Sequence, residues 1–111
     1  MYIEQRVYSL VPGGVAEYLR LYEECGRAIQ EGHLGPAIGC FTREFGDLNQ
    51  LVYLWPFDTL DERSRRRAGL LADAGFKEFR GKVRHLLLKQ ENQLLRHALT
   101  PTQRNTAGGT A

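Results

Sequence analysis

The sequence predicts a single α+β domain in the order βαββαβ, and three observations carry that prediction. Residues 2–10 and 49–57 alternate their side chains with the period of two that a strand imposes. Residues 15–31 place apolar side chains at helical spacing instead, and Thr59 with Glu62 forms a capping box at the start of a second helix. Pro12-Gly13-Gly14 and Gly46-Asp47 mark boundaries with residues that turns favour.

Taken in order, the first strand sets Glu4, Arg6 and Tyr8 on one face and Ile3, Gln5 and Val7 on the other. Pro12 fixes φ for a turn, and Gly13 and Gly14 are free to take positive φ. The first helix buries Val15, Tyr18, Leu19, Tyr22 and Ile29, exposes Glu17, Arg20, Glu23, Glu24 and Arg27, and is expected to end at Gly32. A second strand over 36–45 has Gly39 at a bulge or close approach, and a tight hairpin turn at Gly46-Asp47 leads into the third. A helix over 60–72 follows, then a shorter one over 74–85 with Phe76, Phe79 and Val83 as its stripe, then a last strand over 86–95. Residues 1–99 make the domain. Residues 100–111 lack periodic apolar side chains and read as a mobile tail.

The third strand is the most informative stretch. Asn49, Leu51, Tyr53 and Trp55 alternate with Gln50, Val52 and Leu54, so both faces carry large, specific side chains. The order βαββαβ is a ferredoxin-like arrangement, in which helices cover one face of the sheet. Gln50, Val52, Leu54, Ile3 and Val7 suit the covered face. That leaves Glu4, Arg6, Tyr8, Asn49, Leu51, Tyr53 and Trp55 on the open one. A monomer would show those aromatics to water, so two sheets are expected to meet face to face in a homodimeric α/β barrel.

Composition narrows the partners. A net charge of +2 is too small to argue for nucleic acid, and the basic, aromatic-rich signature of RNA-binding sheets is missing from the first and third strands. No apolar run approaches the roughly 18 residues that span a bilayer, and the start Met1-Tyr2-Ile3-Glu4 has no signal-peptide form. Cys25 and Cys40 make no CxxC pair and read as reduced, so a cytoplasmic protein is expected. His33, His85 and His97 form no ligand spacing; neither a metal nor a cofactor is expected.

Each chemistry-bearing residue has a functional reading and a bland one. Glu4 and Arg6 can orient a ligand or simply neutralise each other. Tyr8 lines the same face, and Asn49 and Tyr53 can hydrogen-bond a carbonyl or phenol. Trp55 can stack on a planar ring, or all of these can be packing. His33, just past the first helix, is the one obvious general base at neutral pH, or a helix C-terminal residue meeting free carbonyls. Arg63 and Arg67 share a helix face at i,i+4 and can grip an anion, or pair with neighbouring acids on a solvated surface.

A family resemblance joins these residues. Leu48-Asn49-Gln50, Leu54-Trp55, Phe57, Leu60-Asp61-x-Arg63 and Arg67 resemble the core signature of the NIPSNAP family. Glu4-x-Arg6-x-Tyr8, Pro12-Gly13, His33-Leu34-Gly35 and Gln90-Glu91 fit the same pattern, over about residues 2–95. The chain departs where family members often carry His (here Tyr53) and Tyr (here Phe57), so chemistry assigned to that histidine does not transfer. The resemblance implies a ferredoxin-like fold that dimerises into an α/β barrel, and no established mechanism.

Two functions follow as expectations. One is a small-molecule-binding protein or cofactor-independent enzyme, monooxygenase- or isomerase-like, acting on a hydrophobic or aromatic oxygenated compound in the barrel. There His33 and Tyr53 would move protons, and Glu4, Arg6, Tyr8, Asn49, Trp55, Arg63 and Arg67 would contact the ligand. The other is a non-catalytic dimeric protein-interaction module with a packed barrel interior.

Overall fold

The computed structural model describes residues 1–102; of the expected tail, residues 103–111 lie outside the described residues. Strands β1 (Tyr2–Leu10), β2 (Gly39–Thr42), β3 (Gln50–Phe57) and β4 (Leu87–Arg96) form one antiparallel sheet in the order β2-β3-β1-β4. Helices α1 (Gly14–Leu21) and α2 (Arg27–Leu34) are joined by a π-helical turn, Tyr22–Gly26, and α3 (Leu60–Ala72) and α4 (Ala74–Val83) follow β3. A short 3₁₀ turn, Arg84–Leu86, leads into β4. This is the ferredoxin-like arrangement of a four-stranded antiparallel sheet with helices.

The faces of the sheet are the reverse of the sequence reading. Leu51, Tyr53, Trp55 and Phe57 are at most 2% exposed and lie in the core beneath the helices, together with Tyr8. Glu4 lies on that side too, only 2% exposed. Ile3, Val7, Val52 and Leu54 are half-buried and do not join the core. The physical reason is volume. Tyr8, Tyr18, Tyr22, Tyr53, Trp55 and Phe79 interlock with ring centroids 5.6–6.3 Å apart between sheet and helices. The smaller Val52 and Leu54 could not fill that layer. Glu4 and Arg6 can share it because each carries its counter-charge with it.

Several boundaries also move. The first helix runs through Gly32 and stops at Gly35, whose φ of 79° only glycine adopts readily. The π turn ends at Gly26, where a Cβ would stand 3.0 Å from the Phe79 ring, so the missing side chain admits α4. Between β2 and β3 there is a long loop rather than a tight hairpin turn. Gly39 is a close-approach glycine, crossed by the Phe41 ring, and the β2–β3 register is regular there. At α3, the Thr59 hydroxyl accepts from the Glu62 N–H at 3.0 Å, but the Glu62 carboxylate takes the N–H of Asp58, one residue before the cap.

Candidate functional site

The site grows from the Glu4 carboxylate at the middle of the covered face. Arg63 on α3 donates to both its oxygens, Nε to Oε1 at 3.0 Å and Nη2 to Oε2 at 2.9 Å. Arg6 Nη1 and Asn92 Nδ2 each donate to Oε2 at 3.0 Å. Burial would raise this carboxyl's pKa, but the hydrogen bonds from Arg63 and Asn92 and the charges of Arg6 and Arg63 outweigh it, bringing it to about 2. A carboxylate so held is no proton acceptor at neutral pH. Its work is to fix two guanidinium groups.

Arg6 reaches onward from this anchor. Its Nε donates to the Tyr8 hydroxyl at 3.0 Å, and its guanidinium carbon lies 5.8 Å from the Tyr8 ring centre. Both residues open onto a cavity of 390 Å³ between the sheet and α3–α4, with Arg67, Arg80 and Arg84 around it and Tyr18, Phe76, Phe79 and Val83 as apolar wall. That volume suits a small organic molecule. Arg67 is half-buried; desolvation, with the nearby charge of Arg6, lowers its pKa. Of the arginine run, Arg63 anchors Glu4 and Arg67 lines the cavity. Arg66 instead donates to the Leu34 carbonyl at 3.0 Å, and Arg65 is exposed.

Tyr53 and Trp55 line a second cavity, of 400 Å³, between β2–β3 and the α1–α2 helix. Their rings stack at 5.8 Å and 7°, and the Tyr53 hydroxyl and Trp55 Nε1 are buried without a hydrogen-bond partner. Burial pushes the Tyr53 phenol far above its ordinary pKa, leaving it a hydrogen-bond donor rather than a base. Tyr8 and Tyr18 on one side, with Tyr22 and Tyr53 on the other, form the aromatic wall between the two cavities.

The structure keeps four predicted site residues apart from these two cavities: Glu4 and Arg63, which line a separate cleft with Asn92, and His33 and Asn49. His33 sits in the last turn of α2, with Nε2 2.9 Å from the Asp73 carboxylate that caps α4. Asn49 precedes β3 with φ 63°, a left-handed conformation asparagine tolerates, and its carbonyl accepts the Leu10 N–H at 2.8 Å. The sequence reading missed Asn92, Arg80, Arg84 and Gln30. Gln30 carried a legible signal, since it falls eight residues after Tyr22 on the buried helix stripe, and the Tyr22 hydroxyl donates to its Oε1 at 2.5 Å. Asn92 is cross-strand from Arg6, a pairing that only the β1–β4 register reveals.

Comparison with known proteins places this architecture. The NIPSNAP family profile matches residues 3–101. The chain belongs to the NIPSNAP family. Among solved structures, this NIPSNAP chain is similar to protein Atu4242 of Agrobacterium tumefaciens, at 38% identity and TM-score 0.86, over 93% of this chain and 100% of that one. A NIPSNAP-like domain protein from Burkholderia xenovorans, described as uncharacterized, matches at 38% identity and TM-score 0.85, over 93% and 90%. Fold alone is shared with a putative antibiotic biosynthesis monooxygenase from Nitrosomonas europaea, at 10% identity and TM-score 0.62, over 89% and 100%. No curated protein matches this NIPSNAP chain. Among its described residues, no helix is long and apolar enough to cross a membrane.

Proposed function

We propose that this NIPSNAP protein binds a small, partly apolar oxygenated compound in the cavity between its sheet and α3–α4, as a homodimer joined through the uncovered sheet face. The observation that carries the reading is the 390 Å³ cavity, where an aromatic wall faces four arginines, one of which, Arg6, is held in place by the Glu4 carboxylate. Arg6, Arg67 and Tyr8 contact the ligand; Glu4, Arg63 and Asn92 position Arg6. Trp55 and Tyr53 belong to the wall behind it. The ligand site lies inside each protomer rather than in a lumen between two sheets.

Binding is favoured over catalysis. Glu4 is locked as an anion, the Tyr18 phenol is pushed up by burial, and His33 is tied to Asp73. An enzyme on this site, monooxygenase- or isomerase-like as the shared fold allows by analogy, would have to draw its base from the substrate or solvent. The homodimer is supported by the half-buried Ile3, Val7, Val52 and Leu54 with the exposed Phe41 on the open face. The two thiols, unbonded to each other, suit a reducing compartment such as the cytoplasm.

Native mass spectrometry of protein purified from its expressing cells tests this reading. A dimer carrying a discrete extra mass is expected. A dimer without added mass, which also takes up no small aromatic compound on titration, would favour the rival, a non-catalytic protein-interaction module.

A further inference from the structure

Charge inside the 390 Å³ cavity is unbalanced. Arg6, Arg67, Arg80 and Arg84 line it, and among the described residues no aspartate or glutamate does. Of the four, only Arg6 has an ion-pair partner among the described residues, and that partner, Glu4, is already shared with Arg63. Arg80 stands with its guanidinium 5.8 Å from the centre of the Phe76 ring, and its Nε is buried with no hydrogen-bond partner. A buried donor without an acceptor is costly, and a bound acceptor removes that cost.

Two further polar groups of the wall, Tyr8 and Gln30, have donors to give. The Tyr8 oxygen already accepts from Arg6, which leaves its own hydroxyl hydrogen to give. The Gln30 Oε1 is taken by Tyr22, which leaves the side-chain NH₂. Lys89, paired with Glu91, and Gln90 stand at the β4 edge of the cavity, and Phe76, Phe79 and Val83 are foremost in its apolar wall. A neutral carbonyl compound would satisfy one or two of these donors and leave the repulsion among the arginines in place. An anion answers both.

We infer that the ligand is an organic anion, with a carboxylate or phosphate head held by Arg67 and Arg80 and an apolar body against Phe76, Phe79 and Val83. This rests on the small-molecule reading above and adds the ligand's charge and orientation. Planar guanidinium groups bind such heads bidentately, and the apolar wall separates a body-bearing acid from a free inorganic ion.

Titration calorimetry on the full chain tests the inference with 2-naphthoate, its uncharged isostere 2-naphthamide, 2-naphthyl phosphate and inorganic phosphate. At least one organic anion should bind about tenfold or more tighter than the amide, the size of effect expected from charge-assisted hydrogen bonds. That preference should vanish in Arg67→Gln and shrink in Arg80→Gln. Arg20→Gln, on a helix surface away from the cavity, should keep it in full. If Arg67→Gln does not fold, Arg67→Lys supplies the reading, because it keeps the charge, loses the planar fork and should weaken the preference partially. Equal binding of amide and acids would overturn the anion inference while leaving the small-molecule reading intact. Inorganic phosphate binding as tightly as naphthyl phosphate would overturn the apolar body. Failure of all four probes at millimolar concentration would remove both readings together.

Discussion

Glu4 and Arg63, 59 positions apart in the chain, meet through two parallel hydrogen bonds of 3.0 and 2.9 Å that tie β1 to α3 beneath the arginine-lined cavity. With Asn92 the pair also lines a cleft of 300 Å³ beside β4. The pair holds α3 at the distance from the sheet that leaves room for Arg67, and it holds Arg6 turned toward Tyr8.

Removing that carboxylate should therefore be felt in both stability and pH dependence. Glu4→Gln leaves the Arg6 guanidinium, 12% exposed, and the half-buried Arg63 without their counter-charge; breaking a fully buried pair costs about 3–5 kcal/mol, the upper bound here. Because the folded pKa, about 2, lies below the ordinary 4.5, the Glu4 contribution is full above pH 4.5 and is lost as pH falls towards 2. The shift corresponds to about 3 kcal/mol at neutral pH. Urea unfolding at pH 7, 4 and 3 should show wild type losing stability steeply and Glu4→Gln much less so. Parallel pH profiles would show that Glu4 is not the group responsible.

Trp55 is expected to behave as core. It is 1% exposed and stacked on Tyr53, so Trp55→Ala should destabilise the fold by about 3–5 kcal/mol. Trp55→Phe, which keeps a stacking ring, should lose clearly less. Chemical denaturation of both variants measures this. An alanine variant as stable as wild type would show that Trp55 is not core packing.

Local structure was legible where one residue decides it. Thr59 as N-cap, Gly13 in the turn and the strand alternation of β1 and β3 all follow from the chemistry of single side chains or a period of two. Alternation says that two faces differ without saying which face the helices cover. That choice rests on how much volume the layer between sheet and helices must hold, and on whether Glu4 and Arg6 arrive paired. Both depend on residues from α1, α3 and β4. Arg6, Tyr8, Arg63 and Arg67 were identifiable as site residues to weigh. Asn92 and Arg80 were not, because β4 register and the seating of α4 bring them in.

Gly26 tests the seat of α4 directly. Alanine favours a helix over glycine by about 1 kcal/mol on propensity alone. Here its Cβ would stand 3.0 Å from three atoms of the Phe79 ring, itself 2% exposed and wedged by Tyr18, Tyr22 and Phe76. The ring has nowhere to retreat, so Gly26→Ala should be net destabilising, by about 1–2 kcal/mol. Gly32→Ala, two turns on with open space around it, should be stabilising by a few tenths to about 1 kcal/mol. Thermal melts of the two variants should move in opposite directions, and a shared direction would show that propensity outweighs the Phe79 contact.

The uncovered sheet face carries the last prediction. Val52 lies on central strand β3, between Phe41 of β2 and Val7 of β1 in register, and the three form an apolar row on that face. Val52 is half-buried in the protomer, so a lysine there can extend to solvent without entering the core. Two copies packed about a two-fold axis would bring two such lysines towards each other at the apolar row, with the nearest carboxylate of that face, Glu91, two strands away beyond Val7. Size-exclusion chromatography with light scattering should find wild type as a dimer and Val52→Lys as a monomer of unchanged circular dichroism. A dimer that survives the substitution would place the interface elsewhere on the molecule, and a monomeric wild type would leave the apolar row to another partner.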